Sequence, residues 1–113
     1  MAVYISNFVI YTGTDCRQTF YLSDEDSEKL LDLTGYSGCA QMKRYETSVR
    51  SYPFNVLFAG NKKSGKVVLS MDASVTETIK PGKYFYDLLI NSPKGITTRA
   101  IEGEIIVKRS ITR

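Results

Sequence analysis

The stretch that decides the fold is "KYFYDLLI", residues Lys83 to Ile90 of a chain of 113 residues. Its large side chains alternate with a period of two, which predicts a β-strand with one face toward a core. The four side chains that we expect on the core face are Tyr84, Tyr86, Leu88 and Ile90. Phe85 and Leu89 fall on the opposite face, which is therefore not fully polar and predicts contact with a partner.

The residues just before this strand predict how it begins. "DASVTETIKPGK" (Asp72 to Lys83) predicts a short helical turn with Asp72 as N-cap, ended by Pro81 and Gly82. Tyr84 then stands at a strand entry, where a tyrosine often hydrogen-bonds back to a nearby loop, as in the tyrosine corner of Greek-key sandwiches. The alternative role is a stacking platform for a sugar or base ring.

Working outward, the same period of two predicts six further strands. They lie in Val3–Tyr11, Cys16–Leu22, "YSGCAQMKRY" (36–45), Phe54–Ala59, Lys66–Met71 and the C-terminal "ITTRAIEGEIIVKRSITR" (96–113). Gly103 marks a possible bulge, and "EKLL" (28–31) a second helical turn. Residues 46–53 predict a loop or an edge segment, because Pro53 cannot donate to a central ladder. About seven short strands without a long helix predict an all-β, two-sheet β-sandwich in one domain, 1–113.

The composition narrows the classes of function. Net charge is +3, with Lys and Arg spread along the chain, so we expect no nucleic-acid partner. Cys16 and Cys39 form no CxxC pair and are expected as free thiols. The N-terminus does not resemble a signal peptide, and no apolar run approaches the roughly 20 residues of a membrane span. We therefore expect a soluble protein made in a cytoplasm.

One stretch has the spacing of a nucleotide-binding loop. "GNKKSGKVVLS" (Gly60 to Ser70) places Gly-Lys four residues after a Gly. A working phosphate loop needs Ser or Thr after the Lys and a helix next, whereas Val67 follows Lys66 and opens a β-branched run. We therefore expect a charged turn between two strands and no bound nucleotide.

No catalytic, cofactor or metal site is expected. Histidine is absent, which removes the commonest general base and metal ligand. The acidic run from Asp24 to Glu28 lacks the Gly at position six and the Glu at position twelve of an EF-hand loop. Neither paired carboxylates nor a nucleophile with its base can be defended, so the sequence predicts a protein that is not an enzyme.

Candidate partner contacts come from residue types that often anchor protein interfaces. Tyr and Arg bracket the loop before Pro53, and lysines crowd the turn before Val67. The candidates are Arg44, Tyr45, Arg50, Tyr52, Lys62, Lys63, Lys66, Phe85 and Leu89. An ordinary mobile loop at 46–53 is the alternative, and Tyr45 and Tyr52 are also candidate contacts to a host-surface glycan.

Two stretches resemble small virion proteins of tailed bacteriophages, including T4-like phages of cyanobacteria. "LDLTGYSGCAQMKR" resembles their "D-L-T-G-Y-x-A-x-x-Q-[IVM]-R" segment, although Gly38 stands where Ala is usual. "IKPGKYFYDLLINSPKGITTRAIEGEIIVKRSITR" resembles their ending, a "PG-x-Y-x-Y-D-[LI]" strand, a turn, an "R-x-[IL]-x-G-x-[IV]-x-[IV]" strand and a terminal "[VI]-T-R". Together they cover a little under half of the chain.

The resemblance implies an Ig-like antiparallel β-sandwich that serves as a structural part of a phage particle. The implied location is the baseplate, neck or fibre attachment of a virion assembled in the host cytoplasm. The implied partners are other virion proteins and further copies of the chain, since symmetric particles reuse subunits. No catalytic residue carries over. The alternative function is an Ig-like module that binds a host glycan or receptor.

Overall fold

The computed structural model describes residues 4–23, 31–45, 48, 50–58 and 65–112. Their fold is all-β, with eight strands and one short helix. The strands are β1 Tyr4–Ile5, β2 Phe8–Tyr11, β3 Cys16–Tyr21, β4 Ser37–Lys43, β5 Tyr52–Leu57, β6 Lys66–Met71, β7 Gly82–Asn91 and β8 Thr97–Lys108, and helix α1 is Ala73–Thr76. None of the helical structure in this part of the chain is long and apolar enough to span a bilayer.

The strands form one curled sheet, in which their order differs from their order along the chain. Its order is β1-β8-β7-β4-β5-β6-β3, with β2 continuing β1 along β8. Strand β5 joins the two halves, since its first three residues pair with β4 and its last three with β6. Buried side chains of both halves form one core, among them Phe20, Leu69, Met42, Tyr86 and Ile105.

The N-terminal strand differs from the sequence prediction in two ways. The predicted strand Val3–Tyr11 is two strands, interrupted at Ser6 and Asn7, so the described residues contain eight strands instead of seven. Both pieces also run parallel to β8, whereas we predicted an antiparallel sandwich. A parallel pair needs a long connection, and all the chain between β2 and β8 provides one here.

The interruption lies where the backbone approaches β8 closely. The Ser6 carbonyl oxygen accepts from the Tyr86 hydroxyl at 2.7 Å, and the Asn7 side-chain oxygen accepts from the Glu104 backbone N–H at 2.8 Å. A Cβ on Gly103 would lie 1.9 Å from that Ser6 oxygen, so this position has no room for a side chain. Burial raises the pKa of Tyr86 to about 12.

The predicted bulge at Gly103 is wrong. Gly103 pairs in regular register with Tyr86, and the register shifts instead where Leu88 pairs with Ile101 and Leu89 with Arg99. The extra residue is Ala100, and it and Ile101 are both buried although they are consecutive. A bulge turns two successive side chains to the same face, which lets both fill the core.

The strand entry at Tyr84 is confirmed. Its ring is 3% exposed, and its hydroxyl donates to the Lys80 carbonyl oxygen at 2.7 Å. All the side chains that we expected on the core face of this strand are buried. In the last strand Ile101, Ile105 and Val107, which are spaced by even numbers of residues, are buried as well.

The helical turn is present, but its cap is different. Helix α1 spans only four residues, and the Asp72 side chain makes no capping hydrogen bond. The Ala73 N–H donates instead to the Asp15 carboxylate at 2.7 Å, from the turn before β3. Buried Thr76 donates to the Thr14 carbonyl oxygen of the same turn at 2.8 Å, so the turn and the helix are held together.

Strand β5 begins one residue before Pro53, although we predicted its start at Phe54. Pro53 lies opposite Gln41 of β4, in the part of β5 that pairs with β4 alone. A strand residue with a neighbour on one side only is an edge position, and edge positions are where sheets tolerate proline. The acidic run at 24–28 and most of the predicted turn at 28–31 lie outside the described residues.

Candidate functional site

The candidate site is the outer face of the half-sheet, by which we mean the outward side chains of β4, β7 and β8. The pairing register arranges nearby side chains in rows across these strands. Lys43, Phe85 and Glu104 form the middle row, and Gln41, Asp87 and Glu102 form the next, while Lys83 lies opposite Ile106 on the other side. A charged frame therefore surrounds a central phenylalanine.

This face contains a shallow concavity of ≈ 700 Å³ that extends to the N-terminal strand. Phe85 lies on its floor and is 45% exposed, an unusual state for a phenylalanine in the middle of a strand. Tyr45, just beyond the end of β4, and Ile5 of β1 also line it and are exposed. The concavity thus combines apolar side chains with the charged frame.

The charges of the outer face are of both signs and partly pair. The Lys83 ammonium lies 3.1 Å from Glu104 and 5.5 Å from the centre of the Phe85 ring. Arg99 lies 3.4 Å from Asp87 and 3.6 Å from Glu102. With Lys43 and with Lys108 at the end of β8, the face carries four cations and three carboxylates. Lys43 has no carboxylate partner within the described ranges. Exposed ion pairs such as these add little stability. Their charged side chains can therefore leave one another and pair with groups of a partner protein at little cost.

The candidates beside the loop before Pro53 separate into two places. Arg44 stacks over the Tyr84 ring at 5.9 Å, and Arg50 over the Tyr52 ring at 5.6 Å. Tyr52 is half-buried and packs edge-on against Tyr84, with ring centres 6.1 Å apart. These three residues support the strand entry, whereas Tyr45 lines the concavity.

Electrostatics agree with a structural role for Arg44. Hydrogen bonds to the tyrosine oxygens of Tyr45 and Tyr84 raise the pKa of this guanidinium. A Cβ on Gly82 would lie 2.8 Å from one of its terminal nitrogens, so Arg44 also covers the backbone there. The Arg44 side chain therefore covers the Tyr84 ring and the Gly82 backbone at the end of the core.

The remaining candidates lie apart from the concavity or outside the described residues. Lys66 is half-buried and begins strand β6, as predicted, opposite Tyr21. Lys62 and Lys63 lie outside the described residues. Leu89 lies on the outer face beside Cys39 and is half-buried, farther along β7 than Phe85.

Sequence reasoning missed most of the charged frame. The strands that carry the frame were predicted, but the register in which they pair was not. The residues concerned are the outward positions Lys43, Asp87, Glu102 and Glu104. The signal was the alternation itself, since each lies one residue from a buried side chain. Only the pairing shows that they surround Phe85.

Clusters of metal-ligating side chains and reactive thiols are two features distinct from the charged and aromatic side chains of the outer face. No group of three potential metal-ligating side chains occurs among the residues the structure describes. Both cysteines are free, and burial raises the pKa of the Cys16 thiol, which lowers its reactivity. The outer face itself offers ionic, aromatic and apolar contacts.

Comparisons with known proteins give weak structural likeness. No family model and no curated protein matches the chain. An internalin-like protein of Listeria monocytogenes matches 96% of this chain and 28% of its own, at 11% identity and a TM-score of 0.45. A family 123 glycoside hydrolase from Clostridium perfringens matches 100% of this chain and 24% of its own, at 10% identity and a TM-score of 0.47. The chain therefore spans about a quarter of the length of each.

Proposed function

We propose that this protein is a non-enzymatic structural component that assembles with other proteins through its outer face. The observation that carries the proposal is Phe85, 45% exposed in the middle of the longest antiparallel pair and framed by charges of both signs. An exposed aromatic inside a polar rim is the usual composition of a protein interface. The concavity that Phe85 lines adds a shape that a partner can fill.

The module that we propose is an Ig-like sandwich. Two features support it: the tyrosine at the entry of β7, whose hydroxyl bonds four residues upstream to Lys80, and the strand order. In that order β7 and β8 lie beside β4, while β3 pairs with β6 in the other half. This is the Greek-key arrangement expected of such a sandwich.

The setting that we propose is the virion of a tailed bacteriophage, in the baseplate, neck or fibre attachment. The support is the resemblance of residues 31–43 and 79–113 to small virion proteins of such phages. Mass spectra of purified particles, recorded from phages that encode this chain, test the setting. We expect the protein at a fixed copy ratio to the tail proteins, and its absence from the particles would refute the structural role.

The second candidate function is glycan or receptor binding by the same concavity. Tyr45 favours it, since an exposed tyrosine beside carboxylates and an arginine offers both stacking and hydrogen bonds to a sugar. Tyr52 does not, because it is packed against Tyr84. A glycan-array signal lost in Tyr45→Ala and kept in Tyr21→Ala would establish this function, and an array without signal would remove it.

A further inference from the structure

We propose that the outer face binds the outer face of a second copy of this chain, with the two sheets crossing at nearly a right angle about a two-fold axis. This inference rests on the proposed function, since it names the partner of the same surface. It follows from the way the charges are placed in the rows around Phe85.

The frame of Phe85 has one diagonal without charge. It runs from Ile106 on β8 through Phe85 on β7 to Gln41 on β4, as the register places them. If a two-fold axis runs along this diagonal between the two sheets, each of these three residues lies opposite the same residue of the second copy. Ile106 then contacts Ile106 of the other copy, Phe85 contacts Phe85, and Gln41 contacts Gln41. No like charges meet on the axis, because none of the three residues is charged.

The charges on either side of the diagonal are complementary under the same axis. Lys43 comes to lie opposite the partner's Asp87, and Lys83 opposite the partner's Glu104, each contact occurring twice. Packed sheets lie about 10 Å apart, a gap that a lysine and a carboxylate side chain bridge together. Lys43, which has no carboxylate partner within the described part of its own chain, gains one in this way.

The alternative sheet packing fails on the same residues. In an aligned packing, with the axis parallel to β7, Lys83 faces Lys83 and Asp87 faces Asp87 of the other copy. Like charges in juxtaposition oppose association. Aligned and orthogonal are the two common ways for sheets to pack, and the charge pattern selects the orthogonal one.

The size of the face is sufficient for a weak, reversible pair. Strand β7 has ten residues, which at about 3.3 Å each extend over roughly 33 Å. With the flanking strands β1 and β5 added to the three strands of the outer face, five strands at about 4.8 Å spacing give a width of roughly 24 Å. Because the two sheets cross, only the overlap of their widths, roughly 580 Å² of each copy, can be buried. This area is below the about 800 Å² of a standard interface and is typical of a weak, reversible pair.

Sedimentation velocity over a range of protein concentrations tests the dimer. We expect the wild-type protein to dimerise reversibly, and added salt to weaken the dimer, since the charged contacts are at its rim. Lys43→Glu and Asp87→Lys should each weaken dimerisation at least tenfold, because each places like charges opposite each other twice. Phe85→Ala should do the same, while Tyr21→Ala, an exposed aromatic on the other half of the sheet, should not.

A mixing experiment tests the geometry. An equimolar mixture of Lys43→Glu and Asp87→Lys should form a heterodimer, because the reversed charges meet opposite charges in both contacts. A mixture of Lys43→Glu with Glu104→Lys should not, since each variant's new charge then faces a like charge. Rescue by the second mixture instead of the first would overturn the orthogonal arrangement.

Circular dichroism shows whether each variant is folded, and cross-linking avoids the variants altogether. A zero-length carbodiimide reagent applied to mixed nitrogen-15-labelled and unlabelled wild-type protein should join Lys43 of one copy to Asp87 of the other. Absence of this light–heavy product at concentrations where a dimer sediments would overturn the proposed contact. A wild-type protein that stays monomeric at all concentrations would overturn the dimer, whereas the place in the particle is decided by mass spectra.

Discussion

Replacing Tyr84 should show how much of the fold depends on the entry of strand β7. The ring is 3% exposed and packs edge-on against Tyr52, while Arg44 covers its outer side. Removal of a buried aromatic ring typically costs about 3–5 kcal/mol, from lost burial plus the cavity left behind. Tyr84→Ala should therefore lower the free energy of unfolding by about 3 kcal/mol or more, a large part of the roughly 5–15 kcal/mol typical of a domain.

A second variant separates the hydroxyl from the ring. Tyr84→Phe keeps the packing and removes only the hydrogen bond to the Lys80 carbonyl oxygen, 2.7 Å long. Because Lys80 is exposed, water can replace the lost donor, and the expected loss is about 1 kcal/mol.

Urea denaturation followed by far-UV circular dichroism measures both losses, with two-state fits compared at a common slope. Tyr21→Ala and Tyr21→Phe are matched controls, since that ring is exposed, and each should change stability by less than about 0.5 kcal/mol. A loss below about 1 kcal/mol for Tyr84→Ala would refute the reasoning, since the ring would then contribute no core packing.

Three further predictions concern contacts that hold the N-terminal segment and the helix. Gly103→Ala should lower stability by about 1–3 kcal/mol in the same assay, because the new methyl overlaps a backbone carbonyl; an unchanged midpoint would show that the N-terminal strand yields freely. Thr76→Val should cost about 1 kcal/mol through its lost hydrogen bond, and exposed Thr78→Val should cost clearly less. The raised pKa of Tyr86, about 12 against an ordinary value of about 10, means that its contribution to stability is complete below pH 10 and is lost as the pH rises through 12. In an alkaline titration, the free energy of unfolding of Tyr86→Phe should therefore fall less steeply between pH 10 and 12 than that of the wild-type protein. Equal slopes for the two proteins would contradict the raised pKa of Tyr86.

The inward faces of the strands could be predicted from the sequence because burial imposes a period of two. Tyr84 and its neighbours in β7 followed that rule without exception, and so did β3 apart from half-buried Gln18. The hydrogen bond from Tyr84 back to Lys80 was also predictable, because Pro81-Gly82 and Tyr84 are close together in the chain. Local features of this kind depend on few residues.

Contacts between distant residues could not be predicted in the same way. The cap on α1 comes from Asp15, 58 positions away, and no local pattern links the two. The interruption at Ser6 depends on the space left by Gly103, which shows only when β1 and β2 are placed beside β8. The charged frame around Phe85 likewise depends on the register in which β4, β7 and β8 pair. The period of two in each strand does not determine that register.

The parallel pairing of β2 with β8 has a mechanical consequence. The chain enters this edge beside Ile101 and leaves it beside Lys108, so the two ends of the described chain point in opposite directions along the same strands. Tension applied between the ends loads the hydrogen bonds between Phe8–Tyr11 and 105–108 in shear, so they must break together instead of one at a time. Forced unfolding depends on the unfolding barrier and not on equilibrium stability, and this edge therefore places the greatest resistance along the line that joins the two ends.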